Sequence, residues 1–226
     1  MDDSDLFQLL RVDLFTAVIG DTMDKMGLQN QFLPPYLAPL SDKMVVAGRA
    51  MTVLEADFFS AVDTGSANPI SAKPFGLMLE ALDSLQPGEV YICTGSSPNY
   101  ALWGGLMSIR AMQLGAAGSV LDGYVRDTRE ILELGYPIMA RGRYAQDQAP
   151  RGKVIDFQVP IRIGGVHVNP GDIIFGDIDG VLVIPKAVES EVIRLSLEKV
   201  RGESAVRKAL EKGMSTVDAF EKFGVM

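Results

Sequence analysis

Apolar positions recur at helical spacing from about Ser4 to Met26 and stop at Gly27, a residue type that favours ending a helix. A Pro-rich loop follows, with Pro34, Pro35 and Pro39. Strand-like runs come next at Met44–Leu54, where Gly48 suggests a bulge, and at Glu89–Thr94 behind the turn Pro87-Gly88. Between them the polar segment Glu55–Lys73, containing Gly65, Asn68 and Pro69, predicts a loop over a cleft, and Pro74–Ser84 has helical spacing. Beyond a loop at 94–100, Leu106, Met107, Ile109, Met112 and Leu114 give one apolar face to a helix opened by Gly104 and ended by Gly115. A strand at Ser119–Val125, a short helix from Thr128 to about Leu134 and a strand at Pro137–Arg141 follow. The resulting β-α-β-α-β order over 89–141 predicts a parallel sheet segment.

After a loop with Gly142 and Pro150, the grammar changes. Val154–Ile163, Val166–Val168, Ile173–Phe175 and Gly180–Ile184 read as short strands split by Gly-Gly, Pro-Gly and Asp-Ile-Asp-Gly turns, which predicts antiparallel or mixed pairing. From Ala187 to Phe223 the pattern is helical, with breaks expected at Gly202 and Gly213 and a capping box at Ser215-Thr-Val-Asp218. No linker divides the chain. The expectation is one mixed α/β domain over residues 1–226, with a helical tail (about 187–226) free to reach a neighbouring subunit.

Composition narrows the partners. A net charge of −8 argues against nucleic acid, and 47% hydrophobic residues with no low-complexity tract exclude disorder. No apolar run approaches the ~18 residues of a membrane span, and the acidic start Met-Asp-Asp-Ser-Asp lacks a signal-peptide pattern, so no membrane partner and a cytoplasmic location are expected. The single Cys93, inside the strand Val90-Tyr-Ile-Cys, reads as a buried inert thiol. The single His167 excludes a multi-histidine zinc site, and with no Gly-x-Ser-x-Gly elbow a serine triad is not expected. In Gly164-Gly-Val-His-Val it reads as a hairpin residue.

The segment Asp122-Gly-Tyr-Val-Arg126-Asp127-Thr-Arg-Glu130 carries the chemistry. An apolar strand delivers an Arg-Asp pair to a helix start, where α/β proteins place their sites. The carboxylate can hold a metal and the guanidinium an anionic or carbonyl oxygen. A surface ion pair is the competing reading on these residues alone. Gly104 and Gly105 open the preceding helix, and such an end leaves backbone N–H groups of Gly105, Leu106 and Met107 for a carboxylate; close packing is the alternative. One β-α-β unit brings the glycines and the Arg-Asp pair to the same sheet edge. Asp122 alternates with Arg126 on the strand and is expected to orient its guanidinium.

The glycines before the helix, the strand with Asp122-Gly123-x-x-Arg126-Asp127-x-x-Glu130, Gly135-x-Pro137 and Arg141-Gly142 together resemble the RraA-like family, which includes metal-dependent 4-hydroxy-4-methyl-2-oxoglutarate aldolases. Gly164-Gly165-Val166-x-Val168-x-Pro170-Gly171-Asp172, Asp177-x-Asp179-Gly180-Val181-x-x-Ile184-Pro185 and Glu203 extend the likeness to about residues 13–224. The resemblance implies a swivelling-type α/β/β/α sandwich with a mixed sheet, assembled as a homotrimer or homohexamer with sites at subunit boundaries. It implies Mg2+ or Mn2+ held by Asp127 and waters, with Glu203 of a neighbouring subunit bonding those waters. Arg126 would hold the keto oxygen of a 2-oxo acid, and the amides near Gly105–Met107 its carboxylate.

The chain departs from the aldolase pattern at Gly105, where the aldolases carry an acidic residue followed by twenty residues and then Arg-Asp. Retro-aldol cleavage needs a base for the C4 hydroxyl, whereas decarboxylation of an oxaloacetate-like acid does not. Loss of the acid should therefore damage cleavage more than decarboxylation, both releasing pyruvate through a stabilised enolate. Asp57, Asp63, Tyr124 and Asp147 are candidate substitutes, against ordinary surface placement or capping; the 55–73 loop, Asn99 and Tyr100 suggest an unusual substrate. The competing class is a non-catalytic regulator that binds a protein partner. A methyltransferase is excluded by the absence of a glycine-rich nucleotide loop followed by a strand-end acid.

Overall fold

A computed structural model describes residues 2–58 and 67–224. The amino-terminal apolar periodicity belongs to two helices, α1 (Asp3–Asp13) and α2 (Thr16–Lys25), rather than one. Leu14 and Phe15 are extended between them. Asp177 caps α2 from across the fold, accepting the Thr16 N–H at 2.8 Å and its hydroxyl at 2.7 Å. Such a cap is invisible to local periodicity.

The principal sheet contains β1 (Ala38–Pro39), β2 (Val46–Asp57), β3 (Glu89–Thr94), β4 (Ala101–Trp103), β5 (Gly118–Val125), β6 (Ile138–Arg143), β7 (Gly152–Phe157), β10 (Ile173–Asp177) and β11 (Gly180–Ile184). Its order is β1-β6-β5-β3-β2-β10-β11, with β4 beside β5 and β7 beside β2. The predicted β-α-β-α-β unit is present: β3, β5 and β6 pair in parallel, connected through α4 (Gly105–Gln113) and α5 (Thr128–Leu134). The later strands pair antiparallel, β10 with β2 and β11, and β7 with β2. The expected run Val154–Ile163 is two strands, because the chain turns at Gln158 (φ 55°) before β8 (Ile161–Ile163), which forms a hairpin with β9 (Val166–Val168) carrying His167.

Residues 31–39 nearly close the sheet. Leu33 N–H donates to Val181 O at 2.8 Å, Val183 N–H donates to Gln31 O at 2.9 Å, and Ala38–Pro39 then pair with β6. Period-two alternation sorts the side chains into separate cores. Val46, Val90, Val120, Met139 and Ile174 point inward, where the β8–β9 hairpin seals them. Met51, Val53, Tyr91 and Leu121 pack outward beneath α3 (Met78–Asp83), α4 and α5. On the other outer face, Phe175, Leu182 and Ile184 meet α1, α2 and α6 (Glu189–Glu211). Helices, sheet, inner core, sheet and helices succeed one another, which is the α/β/β/α layering.

In the tail, α6 runs unbroken through Gly202 and ends at Gly213 (φ 89°), so only the second expected break exists. Val192, Ile193 and Ser196 bury α6 on its own chain, and α7 (Thr216–Phe223) follows from its Ser215 cap with Val217 and Phe220 exposed. Among the described residues no helix is long and apolar enough to cross a membrane.

Candidate active site at the ends of β4 and β5

β4 pairs in parallel with the end of β5, and Arg126 N–H donates to Trp103 O at 3.0 Å. The two chains therefore leave the sheet together, Gly104 into α4 and Asp127 into α5. Asp127 is left-handed (φ 55°, ψ 31°), an uncommon conformation that Asp tolerates better than most residues. The turn sends its carboxylate back over α4, where Oδ2 accepts the Gly105 N–H at 3.0 Å. Thus one of the amides expected to cradle a substrate is engaged by Asp127, and those of Leu106 and Met107 remain at the helix start.

The glycine pair is explained by this packing. A Cβ on Gly104 would lie 2.7 Å from Asp127 Oδ2; one on Gly105 would overlap Glu130 Oε2 and lie 2.7 Å from its Cδ. The exposed Glu130 carboxylate thus covers the space where a side chain at 105 would begin.

Arg126 is held in a chain of charges. Its Nη1 lies 3.0 Å from Asp147 Oδ1, and its Nε 4.0 Å from Asp127 Oδ2. All three side chains line a cleft of about 440 Å3 whose walls include Phe75 and Met78 on one side, Leu102 and Trp103 at the back, and Leu106 and Met107 of α4. Asp147, a candidate base in the sequence, is a site residue by position.

Other expectations are corrected. Asp122 does not orient Arg126. It accepts two bonds from Arg141, at 3.0 and 2.7 Å, one from Thr94 Oγ1 at 2.8 Å and one from Tyr36 at 3.0 Å. Residues four apart on a strand share a face but stand too far apart to bond, whereas Arg141 comes from the adjacent β6. Tyr124 packs edge-on against Tyr144 at 5.6 Å, in a depression with Asn99 and Arg143 outside the main cleft. Asp57 is committed as an acceptor: burial would raise its pKa, but the Ser97 N–H and the Tyr100 hydroxyl hold it below the usual carboxylate value. Asp63 lies outside the described residues. Glu203 sits on α6, in the helical layer opposite α4 and α5, beside Lys199 at 3.5 Å, so within one chain it does not join Asp127.

The sequence reading missed Glu55 and Gln148. The expected loop from Glu55 instead continues β2 to Asp57, and Glu55 extends the alternation of Met51 and Val53 toward the α3–α5 side. It is 2% exposed, and its Oε2 accepts Gln148 Nε2 at 2.9 Å. Burial, with the Asp57 charge adding to it, pushes the Glu55 carboxyl up to about 8.

Among the described residues no three His, Cys, Asp or Glu side chains gather as a metal cage. Mg2+ and similar hard cations demand less, taking one or two carboxylates and retaining waters. Asp127 suits that role: its side chain is 48% exposed, and Oδ1 has no protein partner among the described residues.

A family model described as RraA-like, Aldolase/RraA, matches residues 16–183. The chain belongs to this family. A Halalkalibacterium halodurans protein is 32% identical over 206 residues, covering 91% of this chain and 89% of that one; its name, 4-hydroxy-4-methyl-2-oxoglutarate aldolase, is provisional. The 4-hydroxy-4-methyl-2-oxoglutarate aldolase of Thermus thermophilus is 34% identical over 111 residues, 49% of this chain and 67% of its own. RraAS2 of Streptomyces coelicolor, described as an unusual member of the RNase ES inhibitor RraA family, shares the RraA-like fold at a TM-score of 0.75 and 22% identity over 91% of this chain and 97% of its own.

Proposed function

We propose that this RraA-like protein is a divalent-metal-dependent carbon–carbon lyase that releases pyruvate from a 2-oxo acid, by retro-aldol cleavage or oxaloacetate-type decarboxylation. The observation that carries the reading is the convergence of Arg126, Asp127 and the start of α4 on one cleft. The aldolase names of relatives support the reaction class.

The residues divide the work. The Leu106 and Met107 amides, at the positive end of α4, suit the substrate carboxylate. Arg126 places fixed positive charge beside the keto oxygen, a contribution of a few kcal/mol as negative charge develops there. Asp147 holds that guanidinium in place at 3.0 Å. Mg2+ or Mn2+ held through Asp127 would supply Lewis-acid charge to the same oxygens. The apolar walls at Phe75, Met78 and Trp103 limit water around the reacting carbon.

Homotrimer or homohexamer assembly is part of the proposal. Leu106 is 81% exposed, and Leu79 and Met112 are also exposed on the α3–α4 face, which suits covering by a neighbouring subunit. The layer separating Glu203 from Asp127 makes any role of Glu203 at the metal waters one across subunits.

Pyruvate release from oxaloacetate and from 4-hydroxy-4-methyl-2-oxoglutarate, with and without Mg2+ or Mn2+, tests the reading beside an Asp127→Asn variant. Metal-dependent release lost in the variant supports it and shows which bond breaks. Folded, oligomeric protein silent on both substrates would sink it and favour a regulator that binds a protein partner.

A further inference from the structure

Behind the cleft lies a set of buried polar groups that the proposed chemistry does not use. Glu55 Oε2 accepts Gln148 Nε2, while Glu55 Oε1 and the Tyr91 hydroxyl are buried with no hydrogen-bond partner among the described residues. Orphaned buried groups are rare enough to need a reason. Gln148 is both the partner of Glu55 and part of the cleft wall.

Gln148 also anchors the segment that follows β6. Arg151 and Gly152 N–H groups donate to Gln148 O at 2.7 and 3.0 Å, and Arg151 Nη1 donates to Asp147 O at 2.9 Å. On the other side, Ala101 N–H donates to Gln146 O at 2.8 Å. Residue 147, between these ties, presents its carboxylate to Arg126.

We infer that Glu55 is a positioning residue for the candidate site: by holding Gln148 from inside the fold, it fixes the 146–152 segment so that Asp147 keeps the Arg126 guanidinium in the cleft. The inference rests on the proposed reading of Arg126 for its bearing on catalysis, but the mechanical link is independent of it.

The link depends on protonation. A neutral Glu55 carries a proton on one oxygen and accepts with the other, and burial favours that form at neutral pH. Ionisation places a charge among β3 (Tyr91 and Cys93), the 95–100 loop (Ser96 and Tyr100), Asp57 on its own strand, and Gln148, with Lys153 and Asp156 on the neighbouring β7. Burial pushes the Tyr91 hydroxyl and the Cys93 thiol well upward. Lys153 sends its ammonium to Ser71 O and the Phe58 ring. Among the described residues the ionised form therefore has no cation paired with it, and the buried network rearranges as the pH rises.

Trp103, the chain's only tryptophan, reports on this directly. It lines the cleft, and its ring centroid lies 4.9 Å from that of Tyr91. Its fluorescence, followed from pH 6 to 9.5 in the full chain, is expected to show a transition in the wild type that Glu55→Gln abolishes. The carboxamide keeps an acceptor for Gln148 and cannot titrate. At pH 7, Glu55→Leu should speed hydrogen exchange at Ala101, Arg151 and Gly152 at least tenfold, while Glu55→Gln stays within about threefold of the wild type. A transition that persists in Glu55→Gln, or its absence in the wild type, overturns the titration. Unchanged exchange in folded Glu55→Leu overturns the positioning role. Where pyruvate release is measurable, Glu55→Gln should extend the alkaline limb of kcat/KM and Glu55→Leu should lower kcat about tenfold with a smaller change in KM. Fluorescence and exchange responses without pyruvate release would count against the lyase reading alone.

Discussion

Replacing Glu55 by Gln should change how stability depends on pH, by an amount the burial of this group sets. Its carboxyl moves from the usual 4.5 to about 8 in the folded chain. In that window the folded protein retains a proton that the unfolded chain has released, so stability is fully present below about pH 4.5 and falls as pH rises to about 8. At about 1.4 kcal/mol per unit, the full linkage amounts to about 5 kcal/mol. About 4 kcal/mol of this falls between pH 5 and pH 8.5, and relaxation of a buried charge reduces it, so about 2–4 kcal/mol is the expected range. Urea unfolding of both proteins at pH 5 and pH 8.5, at one protein concentration, measures it. The difference in stability between Glu55→Gln and the wild type should grow in the variant's favour by about 2–4 kcal/mol from the lower pH to the higher. Other titrating groups cancel in that comparison. A difference constant within about 1 kcal/mol would refute the reasoning that Glu55 stays buried and protonated.

Asp127→Asn should keep the left-handed turn and a cap for Gly105, leaving stability within about 1 kcal/mol while metal-dependent pyruvate release falls at least a hundredfold; a thermal melt and a coupled pyruvate assay check both halves. Asp122→Ala should cost about 2–3 kcal/mol in urea unfolding, because Arg141, Tyr36 and Thr94 lose their common acceptor, while KM shifts less than about threefold. Gly152→Ala and Gly105→Ala should differ sharply. The first drives a Cβ into the buried Tyr100 ring and should cost at least about 3 kcal/mol; the second displaces only the exposed end of Glu130 and should stay within about 1 kcal/mol, as denaturant midpoints will show.

The sequence made the order of elements from 89 to 141 legible because helix and strand periods alternate there without interruption. It also placed Arg126 and Asp127 at a strand end, where the structure has them. What it missed depended on contacts between distant residues. The break at Leu14-Phe15 is secured by Asp177, 161 residues from Thr16. Gly202 was expected to end a helix, yet it lies within α6, where intrahelical bonds continue on both sides and no left-handed turn is needed. The polar run from Glu55 to Lys73 reads as a loop, although the alternation of Glu55 with Met51 and Val53 puts it on the buried face beneath α3–α5. Asp122 lies on the expected strand but pairs with Arg141 instead of Arg126, because the sequence does not state which strand lies alongside.

The Gly104-Gly105 pair was open to two readings, an anion cradle or close packing, and the geometry joins them. The left-handed turn at Asp127 brings one carboxylate oxygen onto the Gly105 amide, and only residues without a Cβ leave space for it and for Glu130. That contact ties the start of α4 to the start of α5, with Arg126 beside it. It also distinguishes the two oxygens of Asp127: Oδ2 serves the fold, and Oδ1 has no protein partner among the described residues. A side chain at 104 would therefore displace the Asp127 carboxylate and its cap together, whereas one at 105 meets Glu130 first and leaves Asp127 in place. Glu130 thus stands where a side chain at 105 would begin, and a Gly105→Asp variant must first relocate it.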